Sequence, residues 1–203
     1  MWFILLFLAV AGFEGLSLLV SRDRLKQFDL SIIHTVQSLE SPGTTRAAEF
    51  LSLIGSPSVM IPLVLGIAVI LFLLLGHRKE LILLIGGMLG STLLNHFLKD
   101  FYQRARPDIH RIVEEQGFSY PSGHSMAAFT FYGLLTFLLW RHLPSRGGRI
   151  ALVAISALMI ISIGLTRVYL GVHYPSDVLG GYWVSGCWVA LCIKLFQRYL
   201  LRK

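Results

Sequence analysis

Long apolar runs fill most of the chain, and short polar stretches separate them. A helix that crosses a bilayer needs about 20 mostly apolar residues. Six segments reach or approach that length: 2–20, 58–75, 81–98, 124–140, 150–170 and 176–196. Ala9-Val10-Ala11 looks like a cleavage site, but no Lys or Arg precedes the first run and it continues to Val20. A retained membrane helix is therefore expected there rather than a signal peptide. Between the first two runs the pattern changes. Over 22–40, Leu25, Phe28, Ile32, Ile33, Val36 and Leu39 recur at helical spacing, with Arg24, Lys26, Asp29 and Gln37 between them. This predicts an amphipathic helix, too polar to span, lying along the membrane interface. Ser41-Pro42-Gly43 ends it, and a short helix leads on to Gly55-Ser56-Pro57. Pro57 suits a helix start, and Pro62 predicts a kink in the second run. The expected fold class is all-α: a polytopic membrane protein with six transmembrane helices plus an interfacial amphipathic helix in its N-terminal half, a single membrane-embedded domain over 1–203.

Composition agrees. Of 203 residues, 55% are hydrophobic and 14% charged, against about 25% charged in soluble domains. An ordinary soluble domain has too few charges here to coat its surface, and disorder requires low hydrophobicity. The net charge of +7 could point to nucleic acid, but the basic residues sit in short clusters between apolar runs. That distribution fits lipid headgroups, inside-facing loops or a phosphate site, not nucleic acid. Cys187 and Cys192 share one apolar run and face different sides of a helix, so they read as packing residues rather than a disulfide or a zinc site. Glu14, inside the first run, reads either as a residue facing other helices or headgroups or as a buried polar contact.

With six spans, the connections 99–123 and 171–175 lie on one side and both termini on the other. The terminal side carries Arg78, Lys79, Arg141, Arg146, Arg149, Arg198, Arg202 and Lys203, which favours the cytoplasm. The opposite side is basic too, with Arg22, Arg24, Lys26, Arg46, Lys99, Arg104, Arg106, Arg111 and Arg167. The expectation is a multi-pass plasma-membrane protein with cytoplasmic termini and an outward-facing site, on a weak positive-inside signal.

The polar residues gather at those two same-side connections. The first opens Lys99-Asp100-Phe101-Tyr102-Gln103-Arg104-Ala105-Arg106-Pro107 and closes Tyr120-Pro121-Ser122-Gly123-His124-Ser125; the second runs from Thr166-Arg167 through His173 to Asp177. Lys99 offers a point charge, and Arg106 and Arg167 offer planar forks suited to phosphate oxygens. Ser122-Gly123-His124 opens a helix, whose free N–H groups suit an anion, and glycine admits close approach. Pro175 fits the first turn of the last helix, which puts Asp177 within reach of the His173 ring. A carboxylate on one imidazole nitrogen fixes the tautomer and leaves the other as nucleophile or base.

These motifs resemble the type 2 phosphatidic acid phosphatase family, which also includes vanadium haloperoxidases and bacterial acid phosphatases. Lys99 to Arg106-Pro107 fits the first motif and Pro121-Ser122-Gly123-His124 the second. Arg167, His173 and Asp177 fit the third, with Thr166 where the family usually has serine. The resemblance implies that His173 is the nucleophile, forming a phosphohistidine, and that Asp177 orients it. His124 would protonate the leaving alcohol and then activate water. Lys99, Arg106, Arg167, Ser122 and Gly123 would bind phosphate oxygens. No metal or other cofactor is implied, because cations and N–H groups stabilise the charge. The implied function is hydrolysis of a terminal phosphate from a membrane lipid phosphate, with phosphatidylglycerophosphate to phosphatidylglycerol as the leading reaction and phosphatidic acid as a further substrate. Undecaprenyl diphosphate is the alternative substrate. A non-catalytic phospholipid-binding protein is the alternative of another class, and it would need neither His173 nor Asp177. No obligatory protein partner is evident.

The remaining polar residues read more plainly. His34, His77, His110 and His142 are expected to be solvated. His96, one turn before Lys99, reads as packing or as a partner of the site. Arg104 and Arg111 read as solvated charges or as loop and headgroup contacts. Asp100 and Asp108 read as local caps or ion pairs, and Tyr120 and Tyr174 as interface aromatics.

Overall fold

The computed structural model describes residues 2–74 and 76–200. Leu75, Arg202 and Lys203, named above, lie outside the described residues. Eight α-helices follow one another among them, with no strand: α1 (Trp2–Ser21), α2 (Lys26–Gln37), α3 (Pro42–Ile54), α4 (Pro57–Val69), α5 (Arg78–Tyr102), α6 (Gly123–Trp140), α7 (Arg146–Tyr169) and α8 (Pro175–Leu195). Segments Ile70–Leu74 and Phe196–Leu200 continue α4 and α8 with π-helical geometry.

Arg78–Tyr102, Arg146–Tyr169 and the continuous Pro175–Leu200 are long and apolar enough to cross a bilayer. Pro42–Ile54 and Pro57–Leu73, bent by 46°, make a fourth if the pair counts as one span. Length and hydropathy thus support three to four spans where six apolar runs were expected. Phe7–Ser21 is apolar but shorter. Helix α6 carries His124, Ser125, Thr130, Tyr132 and Thr136, and α5, α7 and α8 surround it. It meets protein more than lipid.

Helix α6 is the centre of the molecule. Ala128, Phe131 and Leu134 are buried there with Met60, Leu83, Leu84, Ile163 and Val189 from its neighbours. Between helices in lipid, close fit and hydrogen bonds replace hydrophobic drive. Accordingly Trp188 Nε1 donates to the Gly87 carbonyl (2.8 Å), Tyr182 Oη to the Ile160 carbonyl (2.6 Å) and Thr130 Oγ1 to Ser91 Oγ (3.0 Å). A Cβ at Gly164 would collide with the Tyr182 hydroxyl, so glycine sets the α7–α8 approach. Leu89, Leu93, Phe97, Ile150, Ile155 and Leu158 face outward, as a lipid-facing surface requires.

Several boundaries differ from the sequence reading. Arg78 and Lys79 belong to the first turn of α5, where neighbouring Glu80 pairs with Arg141. Helix α5 also passes Lys99 and ends only where Gln103 turns left-handed (φ 46°). The sharp bend falls at Gly55–Ser56, between α3 and α4, rather than at Pro62 inside α4. Ser56 takes an extended cap conformation (ψ 154°) that ends one helix ladder outright, whereas a proline removes a single bond. Ser41 and Thr44 cap α3 reciprocally. Helix α2 is shorter than 22–40 and is not simply a surface helix. It packs on α7 and α8, burying Ile33 and, unexpectedly, Asp29. Tyr120 is likewise not an interface aromatic. Its ring is fully buried against Phe13, and its hydroxyl meets Ser17 Oγ at 2.9 Å.

Candidate active site

The C-terminal ends of α5 and α7 and the N-terminal ends of α6 and α8 meet at one pole of the bundle. This follows from an antiparallel run of α5 to α8, and it brings Lys99, Ser122–His124, Arg167 and Asp177 together. The chain 103–122 closes over them. It is pinned by Ser119 N–H on the Arg104 carbonyl (2.8 Å) and by Ile112 N–H on the Leu170 carbonyl (3.1 Å). Between α7 and α8, Gly171 has φ 75°, and a Cβ there would strike the His110 carbonyl. Only glycine makes this turn without strain. Behind it, the N–H groups of Val172 and His173 both donate to the Arg167 carbonyl at 3.2 Å. The backbone at His173 is thereby tied to the helix end that carries Arg167. Ser122 N–H donates to the Asp177 carbonyl (3.1 Å), which ties the start of α6 to the start of α8.

His173 and Asp177 are both fully buried. His173 Nδ1 lies 3.4 Å from Asp177 Oδ2, close but not aligned as a hydrogen bond. Its Nε2 faces Arg106 Nη1 at 3.3 Å. A guanidinium only donates, so Nε2 carries the lone pair and Nδ1 the proton. Burial pushes the His173 pKa down to about 3, Asp177 pulls it up, and Arg106 and Arg167 push it lower. The ring is therefore neutral over the physiological range.

Arg106 uses all five of its N–H groups. Nε donates to the Gly117 carbonyl (3.0 Å), Nη1 to the Val172 carbonyl (2.9 Å) and towards His173, and Nη2 to the Gln116 carbonyl (3.0 Å) and Glu115 Oε1 (3.2 Å). Three of these hold the loop. The two aimed at His173 Nε2 and Glu115 are the ones a phosphate seated on Nε2 would take. Arg167 Nη1 donates to Ser52 Oγ (2.5 Å), and Nη2 pairs with the other Glu115 oxygen. Its Nε is buried with no hydrogen-bond partner among the described residues. A buried donor of that kind is costly unless something fills its place. Glu115 bridges the two arginines with its carboxylate.

The Ser122 hydroxyl caps α6, accepting from Ser125 N–H (3.4 Å) and Ser125 Oγ–H (3.0 Å), and keeps its own proton to donate. Gly123 packs closely on Asn95, whose Nδ2 donates to the Pro121 carbonyl (3.0 Å). Lys99, Glu115, Gly123 and His124 line the polar end of a cavity of about 470 Å³. Met60, Val64, Leu65, Ile85, Met88 and Leu89 are among its apolar lining, with Ser91, Thr92 and Asn95 between the two ends. From Lys99 back to Ile85 along α5, at 1.5 Å per residue, the cavity runs roughly 20 Å. His96 also lines it. Among the described residues α2 contributes nothing to this lining. Helix α2 is occupied by its packing on α7 and α8.

Three functional candidates escaped the sequence reading. Arg104 is neither solvated nor on a headgroup: Nη1 donates to Asp177 Oδ1 (2.5 Å) and Nη2 to Asp29 Oδ2 (2.9 Å). Its guanidinium also stacks 4.0 Å from the Tyr174 ring centre. Asp29 had a signal, because it lies four residues from both Leu25 and Ile33 and so sits in the middle of the apolar stripe. Glu115, in an irregular loop, had none. His110 is exposed but paired with Glu40 at 2.9 Å, and Asp108 pairs with Arg111 at 3.7 Å. Glu14, exposed, accepts from the Tyr102 hydroxyl at 3.2 Å. Cys187 and Cys192 are free thiols in the packing of α8. Among the described residues no three His, Cys, Asp or Glu side chains are gathered as a metal site.

Phosphatidylglycerophosphatase B of Bacillus subtilis (strain 168) is 40% identical over 134 residues, covering 64% of this chain and 64% of that protein. Dolichyldiphosphatase 1 of Dictyostelium discoideum is 26% identical over 148 residues, covering 70% of this chain and 65% of that protein. The matches thus span just under two thirds of these relatives' lengths. The crystal structure of a transmembrane PAP2-type phosphatidylglycerolphosphate phosphatase from Bacillus subtilis superposes with a TM-score of 0.86 at 27% identity, covering 96% of both chains. The family model for the PAP2 superfamily matches residues 80–200, which contain every motif residue from Lys99 to Asp177. The chain is a membrane protein of the PAP2 superfamily.

Proposed function

We propose that the protein is an integral-membrane lipid phosphatase that removes a terminal phosphate through a phosphohistidine, with phosphatidylglycerophosphate as its main substrate and phosphatidic acid as a second. The observation that carries this reading is that Lys99, His124 and Glu115, the last paired with Arg106 and Arg167 next to His173, line the polar end of an apolar cavity. A phosphate bound there keeps its acyl chains in the lipid-like cavity between α4 and α5. The 40% identity to a phosphatidylglycerophosphatase supports the choice of substrate. A polyprenyl diphosphate such as undecaprenyl diphosphate is the second reading, supported by the dolichyldiphosphatase relative.

In this mechanism His173 Nε2 attacks phosphorus while Asp177 holds the proton-bearing Nδ1 side of the ring. His124 protonates the departing alkoxide as the P–O bond breaks. A water, deprotonated by His124, then attacks the phosphohistidine and releases inorganic phosphate. Lys99, Arg106, Arg167, Ser122 and the Gly123 N–H hold the phosphate oxygens. The chain forms a single membrane-embedded domain with six spans: the three helices of sufficient hydropathy, the bent α3–α4 pair counted as one, and α1 and α6. Its termini are cytoplasmic and its site faces outward.

The test is phosphate release by the purified protein from phosphatidylglycerophosphate, phosphatidic acid and undecaprenyl diphosphate in mixed micelles, with EDTA present. Turnover in the order phosphatidylglycerophosphate, phosphatidic acid, undecaprenyl diphosphate is expected. A reversed order moves the reading to the carrier lipid, and a strict magnesium requirement overturns the metal-free mechanism. No turnover on any of the three, with headgroup binding retained, moves it to a lipid-binding protein.

Glu115 supplies a further prediction. A phosphate must displace its carboxylate from Arg106 and Arg167 before reaching His173. Glu115→Gln removes that competing charge and is expected to lower the inhibition constant of inorganic phosphate by about tenfold, the equivalent of roughly 1.4 kcal/mol. An unchanged constant shows that Glu115 does not share the phosphate seat.

A further inference from the structure

Helix α2 touches neither the cavity nor the phosphate-binding arginines, yet it delivers a fully buried carboxylate to the site. Asp29 Oδ1 accepts from Ser176 N–H (2.9 Å), and Oδ2 accepts from Ser176 Oγ–H (2.6 Å) and from Arg104 Nη2 (2.9 Å). The other nitrogen of the same fork, Arg104 Nη1, donates to Asp177 Oδ1 (2.5 Å) and to Ser176 Oγ (2.8 Å). Asp177 Oδ2 is left for the Tyr174 N–H (2.8 Å) and for the His173 side of the site. Resting on the phosphatase reading above, we propose that Asp29 and Arg104 are positioning residues for the reaction: Arg104 clamps one oxygen of Asp177 so that the other serves His173, and Asp29 holds Arg104 in place and sets the charge around the pair.

The charge count argues against a purely structural ion pair. A buried guanidinium needs one carboxylate to be neutral, and unpaired buried charge is expensive. Here two buried carboxylates, Asp29 from α2 and Asp177 from α8, share one guanidinium. Burial alone disfavours the Arg104 cation, but the two carboxylates more than offset it and hold its pKa above the ordinary value. The group carries one net negative charge beside a neutral imidazole. The other charges facing the ring are cationic: Arg106 from the loop and Arg167 from α7, with Glu115 bridging the two, and Lys99 from α5 beyond them. Those cations are committed to phosphate. When Nε2 bonds to phosphorus and the alkoxide leaves with its electron pair, taking a proton from His124, the ring keeps its Nδ1 proton and becomes positive. The negative charge behind it then opposes a positive charge that exists only after attack. When water displaces the ring, the N–P electron pair returns to Nε2 and the ring is neutral again. An interaction stronger in the transition state than in the resting enzyme raises kcat rather than substrate affinity.

The test compares wild type, Asp29→Asn and Arg104→Lys as purified full-length proteins on phosphatidic acid in mixed micelles. Asp29→Asn keeps the side-chain shape and one acceptor for Ser176, and it removes the charge. It is expected to lower kcat 10- to 100-fold with KM within twofold. The rate of acid-quenched phosphohistidine formation should fall by the same factor. Arg104→Lys keeps the charge and loses the fork, so it is expected to lower kcat more than Asp29→Asn while protein yield and melting temperature stay near wild type. In an Asp177→Asn background, Asp29→Asn should have little additional effect, because it acts through Asp177. Asp29→Asn with kcat within twofold of wild type overturns the proposal. So does a loss of activity that merely tracks the fraction of folded protein, or full additivity with Asp177→Asn. If Asp29→Asn does not fold, Arg104→Lys decides by the same kcat and KM comparison. Wild-type protein that releases no phosphate from any lipid fails the phosphatase reading itself, a different result from an active wild type beside an unaffected Asp29→Asn.

Discussion

His173→Ala is expected to abolish phosphate release, by at least about ten-thousand-fold in kcat, while leaving a folded, membrane-inserted protein. Removing a covalent nucleophile costs that order of rate because no neighbouring group supplies the same bond. Here the neighbours are Arg106, Arg167 and Asp177, none placed as a substitute nucleophile. The fold should tolerate the change, since the turn that carries His173 is fixed by Gly171 and by two backbone hydrogen bonds to the Arg167 carbonyl. The measurement is phosphate release together with 32P trapped on protein after acid quench, which should vanish with it. Retained turnover by the folded variant removes His173 from the nucleophile's role. A pH profile adds a sign. Burial holds the His173 pKa down at about 3, so the ring is in its nucleophilic form at every pH above about 4. Between pH 5 and 8, the acid limb of kcat/KM should therefore arise from another ionisation, such as that of the lipid phosphate, whose second pKa is about 6.

His124→Ala carries the second largest expected loss, about 100- to 10,000-fold in kcat on lipid substrates, the usual worth of a positioned general acid. The effect should depend on the leaving group. An alkoxide needs the proton, whereas p-nitrophenolate departs without it. On p-nitrophenyl phosphate the variant should form phosphoenzyme at a rate within about tenfold of wild type and then stall, because the same residue activates water. Phosphohistidine would accumulate in this variant only. An equal loss on both leaving groups, with no accumulation, assigns His124 to binding rather than proton transfer.

The motif residues were legible in the sequence because helix ends do the positioning. Lys99, Arg167, Ser122–His124 and Asp177 each sit at the end of an apolar run, and antiparallel runs must bring alternate ends together. The apolar runs themselves located α1 and α4 to α8 to within a few residues. Lipid-crossing capacity was harder to read. Helix α6 carries polar residues tolerable only because α5, α7 and α8 enclose it, and that enclosure is tertiary. Asp29 was misread by listing it with the polar residues of its helix, although its spacing from Leu25 and Ile33 placed it on the buried face. Arg104 looked like surplus charge because its two partners lie 73 and 75 residues away in the chain. Glu115 could not have been found: a loop without periodicity carries no sign of where its side chains point.

The Glu115 bridge also bears on how a turnover ends. Two arginines that grip a phosphoryl group well enough to catalyse its transfer will also grip the free inorganic product, and product release then limits many enzymes. A carboxylate tethered a few ångströms away competes at the high effective concentration of an intramolecular ligand. On the phosphatase reading proposed above, Glu115 would take over the contacts of the loosening product on Arg106 and Arg167, so neither buried cation would be stranded bare. On that reading the residue that slows the arrival of substrate phosphate would also hasten departure, and the site would trade some affinity for a shorter dwell of its product.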